Sequence, residues 1–261
     1  MKTIARLAHT RLDLWEVVLI LLLLVAAMHP FRAKVQTSEL ELAPFRVTYG
    51  PNHQSENEEE WFIRDFFSDR RGGVFVDVGA NHPKNFSKTW YLETQLGWSG
   101  VAVEPLKEFE PAYKIERPRT RFRPFFVSDT SDSAAKLYVI SDNTLVSSSE
   151  PGFTNAFGKA DRVETVPTIT INDLLTKERI TAPDFVNIDI ELHEPAALRG
   201  FDLARFKPAL VCIEALEPTR QYILDHFARN GYVLVGKYLR ADQENLYFRP
   251  LSAAPAPVVG P

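Results

Sequence analysis

From residue 74 onward, short apolar runs alternate with amphipathic ones, and this alternation is the feature that most constrains the fold. Val74–Val78, Ser99–Val103, Arg121–Val127, Phe185–Ile190 and Leu210–Ile213 have the length and branched content of buried strands. Lys84–Leu96, Glu108–Ile115, a helix beginning over Thr170–Leu175, Pro195–Leu203 and Thr219–Asn230 read as helices, the last capped by Gly231. Strands separated by helices form a mostly parallel sheet covered on both faces. The last two runs, Tyr232–Val235 and Leu246–Phe248, have no helix between them and pair antiparallel. The expected architecture is therefore α/β, a mostly parallel seven-stranded sheet with one antiparallel strand. Lys136–Ile140 and Ser147, Ser148 and Ser149 suggest an inserted hairpin or loop.

Ahead of the sheet, Val17–Met28 carries no charge and follows Lys2, Arg6 and Arg11. Joined by Leu12–Trp15 it approaches the roughly 20 apolar residues of a spanning helix, so residues 12–28 read as a single-pass membrane anchor behind a flank over 1–11. A cleaved signal peptide competes, because Val25, Ala26 and Ala27 are small enough for a peptidase site. Lys and Arg are equally frequent on the two sides, which leaves the orientation open. Residues 29–60, broken by Pro44, Gly50 and Pro51, are expected as a stalk. Its acidic end, Glu56, Glu58, Glu59 and Glu60, reads as a solvated face opening a helix through Phe67, with Asn57 as a candidate cap. The folded domain is assigned to 61–250 and a disordered tail to 251–261.

A net charge of -4 argues against nucleic acid as the main partner, since such proteins carry a basic excess. The basic stretch Arg117, Arg119, Arg121 and Arg123 is read as a solvated connector. Cys212 is the single cysteine, which excludes an intrachain disulfide, and its apolar surroundings suit a small buried hydrophobe. Trp90, Tyr91 and Trp98 are expected in the core.

In an open α/β sheet ligands bind beyond the carboxyl ends of the strands, so the residues just past each strand carry the chemistry. The first strand ends in Asp77, Val78, Gly79, Ala80 and Asn81, where Gly79 permits a tight turn with bare backbone and Asn81 tolerates a left-handed conformation. A single glycine with Pro83 nearby is not a phosphate-cradling loop, which disfavours a nicotinamide enzyme. Glu104 ends the second strand, where a carboxylate can accept both hydroxyls of a ribose. Ser128 and Asp129 follow the third. The densest group is Asp189, Glu191 and His193, which alternation puts on one side of an extended chain as proton carriers or metal ligands.

The segments VFVDVGANHP, GWSGVAVEP, FVNIDIELHEPAALRGFD and LVCIEAL, in this order and spacing, resemble the FkbM family of S-adenosylmethionine-dependent methyltransferases. The resemblance implies a Rossmann-like methyltransferase fold, cofactor contacts at Asp77, Gly79 and Asn81, and ribose binding by Glu104; Ala80, Ser128 and Asp129, at the same strand ends, are further cofactor-binding candidates. It also implies methylation of a hydroxyl on a glycan or small-molecule acceptor, for which the strand-end group Asp189, Glu191 and His193 supplies the catalytic candidates. A divalent metal is not favoured. This chain has Leu192 where many members have glycine, and Pro83 where many have glycine after Asn81 and His82. The alternative reading is an inactive, membrane-anchored binding protein that retains the fold.

Overall fold

The computed structural model describes residues 39–252. In chain order the strands are β1 (Val74–Val78), β2 (Ser99–Val103), β3 (Thr120–Arg123), β4 (Phe126–Val127), β5 (Ala134–Val139), β6 (Arg162–Ile169), β7 (Phe185–Ile188), β8 (Leu210–Glu214), β9 (Tyr232–Leu234) and β10 (Asn245–Pro250). Seven of them form the central sheet in the order β3-β2-β1-β7-β8-β10-β9. β10 is antiparallel to both its neighbours, β8 and β9, while the pairs from β3 through to β8 are parallel. The sheet is thus the mostly parallel one with a single antiparallel strand that the alternation implied.

The helices are α1 (39–49), α2 (Glu59–Phe67), α3 (Trp90–Thr94), α4 (Glu110–Glu116), α5 (Pro151–Phe157), α6 (Ile171–Lys177), α7 (Glu194–Arg199), α8 (Leu203–Phe206) and α9 (Arg220–Arg229). One apolar cluster packs Ile171, Leu174, Leu198, Ile223 and Phe227 against Val76, Val186 and Val211. The other packs Trp61, Phe62, Leu92 and Trp98 against Phe75, Phe185 and Cys212. Since residues of a strand alternate between faces, the two clusters lie on opposite sides of the sheet. Trp98 and Cys212 are fully buried, as expected of core residues.

Several segments depart from the sequence reading. Residues 39–60 are not a free stalk, because Leu42 and Phe45 of α1 are buried in the same cluster as Trp61 and Phe62. Burying such side chains contributes about 1.5–3 kcal/mol each, which holds α1 on the domain. Glu59 and Glu60 are buried rather than solvated. Asn57 supplies no side-chain cap; its own N–H donates instead to Glu59 Oε2 at 2.9 Å.

The expected third strand is cut at Pro124, which lacks an N–H for the ladder. Its second half, β4, leaves the main sheet and pairs with β6 in a three-stranded sheet with β5. The expected helix over 84–96 shrinks to α3, and Phe86 before it has φ 63°. Pro195–Leu203 is two short helices interrupted at Gly200, where a Cβ would lie 2.6 Å from the Ser128 carbonyl.

Arg117 is not a solvated connector but is completely buried. Its guanidinium donates to Glu93 Oε2 (2.6 Å), Pro83 O (2.8 Å), Ser87 Oγ (3.3 Å) and Thr89 O (3.1 Å), so it fastens the β1–α3 loop to the scaffold. Arg121 and Arg123 share the carboxylate of Glu178, each at 2.5 Å. Among the described residues, no helix is long and apolar enough to cross a membrane. The anchor expected over 12–28 and the flank over 1–11 lie outside the described residues, as does the tail from 253 onward.

Candidate active site

Parallel register brings the strand ends together. Val78 pairs with Val103 on one side and Ile188 on the other, and Ile188 pairs with Ile213. The next residues, Gly79, Glu104, Asp189 and Glu214, therefore stand along one sheet edge around β1 and β7, where the strand order reverses. A cavity of about 870 Å³, including its open mouth, lies over this edge. Its lining includes Glu56, Gly79, Asn81, Lys88, Glu104, Asn187, Asp189 and Glu191, with Phe125, Phe126, Val127 and Leu137 as an apolar wall.

On the β1–β2 side every carboxylate is held by donors. Asp77 is buried and accepts from Thr89 Oγ1 at 2.7 Å and from Asn187 Nδ2 at 2.9 Å. Burial pushes its pKa up against these hydrogen bonds. Gly79 has φ 80°, and a Cβ there would lie 1.7 Å from the Asp189 carbonyl, so no side chain fits between the loop and β7. The N–H groups of Gly79 and Ala80 donate to Val103 O at 3.0 and 3.2 Å. Asn81 takes the left-handed conformation expected of it (φ 43°). Its N–H donates to Glu104 Oε2 at 3.2 Å, and its side-chain amide reaches Thr144 Oγ1 at 3.1 Å. Glu104 also accepts from Leu106 N–H at 2.9 Å, and burial pushes its carboxyl up to about 7.

On the β7–β8 side carboxylates crowd one another. Asp189 Oδ2 pairs with Lys88 Nζ at 2.6 Å, and the same ammonium lies 3.6 Å from Glu59. The chain does not stay extended after Asp189: Glu191 and Leu192 are both left-handed, with φ 57° and 74°. This turn keeps Glu191 at the cavity and holds Leu192 in a conformation that glycine adopts more freely. One carboxylate oxygen each from Asp189, Glu191 and Glu214 lie within 4.8 Å of one another. Burial and the Asp189 charge push Glu191 up to about 9 and Glu214 up to about 11. Glu194 Oε1 accepts from Ile190 N–H at 3.0 Å, its Oε2 has no partner among the described residues, and burial lifts it to about 7.

The turn at 191–192 separates His193 from the acids with which alternation would have grouped it. Its Nε2 lies 3.1 Å from Ser128 Oγ and its Nδ1 3.2 Å from Ser149 Oγ, with the ring against Phe126. It is not part of the cavity wall, and burial lowers its pKa. Ser128 and Asp129 are likewise outside the cavity: Asp129 is exposed and paired with Arg199 at 2.8 Å. The structure thus brings Asp77, Gly79, Ala80, Asn81, Glu104, Asp189 and Glu191 to one cavity, and leaves Ser128, Asp129 and His193 beside it.

Three residues escaped the sequence reading. Glu214 ends a strand as Glu104 does, so the same rule would have found it. Asn187 points into a strand interior by sequence, yet its Oδ1 is a buried acceptor at the cavity wall with no partner among the described residues. Lys88 falls in a stretch read as ordinary helix, and nothing in that pattern marks it.

The Methyltransferase FkbM domain matches residues 77–234. No curated protein matches the chain. Among solved structures, a TehB-like SAM-dependent methyltransferase from Corynebacterium glutamicum has 15% identity and TM-score 0.41, covering 82% of this chain and 97% of that one. An O-methyltransferase from Bacillus cereus in complex with SAH has 14% identity and TM-score 0.40, covering 82% and 89%. A SAM-dependent methyltransferase from Geobacter sulfurreducens in complex with S-adenosyl-L-homocysteine has 10% identity and TM-score 0.35, covering 76% and 75%. Scores this low leave membership to the domain match, which spans more than half of the sequence and runs from the end of β1 through β9. The chain belongs to the FkbM methyltransferase family.

Proposed function

We propose that this protein is an S-adenosylmethionine-dependent O-methyltransferase acting on a hydroxyl of a glycan or small-molecule acceptor. The observation that carries the reading is the shared cavity of Gly79, Glu104 and the acidic pair Asp189 and Glu191. Three features fit the cofactor. Gly79 leaves backbone bare where a Cβ would collide, Glu104 offers a buried carboxylate to ribose hydroxyls, and the orphan Asn187 Oδ1 is a ready acceptor for an ammonium. When bound, S-adenosylmethionine supplies an electrophilic methyl on a positively charged sulfur.

The protein's own task is then to hold the hydroxyl in line and take its proton. Asp189 and Glu191 are the pair placed for this. Asp189, paired with the Lys88 ammonium at 2.6 Å, is placed to take the proton, while Glu191, held above the ordinary carboxylate range by burial and the Asp189 charge, is placed to orient the hydroxyl. The apolar wall of Phe125, Phe126, Val127 and Leu137 excludes water that would compete for the methyl. Asn81, hydrogen-bonded to Thr144, ties the cofactor loop to the segment that covers the cavity.

The test is calorimetric titration of the full chain with S-adenosylmethionine and with NAD, followed by methyl transfer assays. Binding of the first alone is expected. Asp189→Asn and Glu191→Gln are expected to slow transfer by roughly 10² to 10⁴ while cofactor affinity holds. Full transfer by both variants would remove this pair from the chemistry.

The reading includes a membrane tether over 12–28, supported by the uncharged run Val17–Met28. Residue 39 of α1 is eleven positions past residue 28 (39 minus 28), so even a fully extended connector would reach only about 40 Å. A membrane-proximal acceptor follows. The protein should stay with membranes through an alkaline carbonate wash; recovery of a mature N-terminus near Met28 would establish the cleaved alternative.

A further inference from the structure

We propose that Asp189, Glu191 and Glu214 form a binding site for one divalent, oxygen-preferring cation at the acceptor end of the cavity. Three carboxylates from two adjacent strand ends meet there. β7 and β8 are in register at Ile188 and Ile213, which sets Asp189 beside Glu214, and the left-handed turn at Glu191 and Leu192 returns the third acid to the same point. Their nearest oxygens lie within 4.8 Å of one another. Two ligands on opposite sides of Ca²⁺ are about 4.6 to 5.2 Å apart, and on Mg²⁺ about 4.2 Å. Oxygens gathered within that bound can share one such ion with side-chain adjustment alone.

An independent feature points the same way. Glu194 is 1% exposed, and its Oε2 is buried without any hydrogen-bond partner among the described residues. Its other oxygen is fixed by Ile190 N–H, which folds the carboxylate over the 189–192 turn, and its charge acts on both Glu191 and Glu214. A buried carboxylate oxygen left unpaired costs several kcal/mol unless something supplies positive charge or a donor. Lys88 is too far committed to do so for the whole cluster. Its ammonium is bonded to Asp189 Oδ2 and Asn245 Oδ1 and shared with Glu59, so one positive charge faces four acids at this strand end. A divalent ion ligated by Asp189, Glu191 and Glu214, with Glu194 as the outer carboxylate holding a coordinated water, satisfies all of them.

Carboxylate oxygens without histidine or thiolate ligands select Mg²⁺, Mn²⁺ or Ca²⁺ over softer metals. Binding of the ion is independent of the methyl-transfer reading. Its use, orienting a coordinated acceptor hydroxyl toward the methyl group, rests on that reading.

The experiment is titration of the full-length protein with Mn²⁺ followed by electron paramagnetic resonance, with Mg²⁺ and Ca²⁺ as competitors and no cofactor present. One Mn²⁺ per chain is expected, displaced by Mg²⁺ or Ca²⁺. Glu214→Gln should weaken it at least tenfold, whereas Glu110→Gln, on exposed α4, should leave it unchanged. Absence of saturable Mn²⁺ binding by the unaltered protein would overturn the proposal, as would equal affinity in a folded Glu214→Gln variant. S-adenosylmethionine binding is measured separately on the same sample, so loss of the cofactor reading and loss of the metal site give different results.

Discussion

The two halves of one sheet edge differ in how their acids are treated. At the β1–β2 end, Asp77 and Glu104 each accept two hydrogen bonds from groups of the protein itself. At the β7–β8 end, Glu194 and Glu214 each keep a buried oxygen with no partner among the described residues, and the nearest ammonium is already divided among several acids. A satisfied half is rigid before any ligand arrives and suits a ligand whose shape never varies. An unsatisfied half is stable only at a cost, and that cost is relieved by whatever binds there. The contrast suits a site in which an invariant cofactor occupies one end and charge develops at the other.

If the first half is preformed scaffold, damage to it should appear in stability more than in chemistry. Arg117 is its deepest member, completely buried and paired with Glu93. Arg117→Met leaves a buried carboxylate without its counter-ion, and breaking such a pair typically costs about 3–5 kcal/mol. Chemical denaturation should therefore show a larger loss for Arg117→Met than for substitutions at Glu104 or His193. A loss under about 1 kcal/mol would mean that the β1–α3 loop is not held by this residue.

Next in size is Glu104. Glu104→Ala is expected to weaken S-adenosylmethionine binding by about 1.5–3 kcal/mol, because charge-assisted bonds to ribose hydroxyls are lost. Its titration sharpens the test. The folded carboxyl is pushed up from 4.5 to about 7, by burial first and then by the neighbouring charges of Glu108 and Asp77. The stability contribution of this group is therefore full below about pH 4.5 and is lost as pH rises through about 7. Ligand binding runs the other way, since two donated hydroxyls favour the ionised form. Affinity measured by calorimetry should rise with pH up to about 7 and level off above it, and Glu104→Gln should flatten the profile. Glu194 titrates in the same range, so a step that persists in Glu104→Gln would transfer the effect to the other half.

The sequence made the scaffold half legible because it is written in local signals. Apolar runs fix the strands, and the residue after each strand reaches the ligand edge whatever the loops do, as with Gly79, Glu104 and Asp189. It failed where the outcome depends on distant partners. Arg117 looks like part of a basic surface run until Glu93 and the Pro83 carbonyl are folded around it. Residues 39–60 look like linker because the partners of Phe45 are Phe62 in α2 and, far later in the chain, Tyr238. Strand alternation also fails at its own end: it assumes an extended chain, and the left-handed pair Glu191 and Leu192 breaks that assumption where grouping His193 with the acids depended on it.

His193 therefore offers the smallest expected effect and the most direct test of the boundary between the halves. An imidazole in contact with the acceptor would be the natural base, and its removal would slow turnover by about 10² to 10⁴. In this fold both ring nitrogens face serine hydroxyls, Ser128 at 3.1 Å and Ser149 at 3.2 Å, and the ring stands outside the cavity wall against Phe126. Burial lowers its pKa, so near neutral pH the imidazole is uncharged and can accept from one serine while donating to the other. That arrangement bridges the end of β4 to the 147–149 segment. His193→Ala should accordingly cost about 1 kcal/mol of stability for the lost hydrogen bonds and change turnover by less than about threefold. The pH dependence of turnover should be unchanged in shape, because a structural bridge does not titrate with the reaction. A hundredfold loss of turnover with normal melting temperature and cofactor affinity would place His193 among the reacting groups and move the chemical centre toward β4.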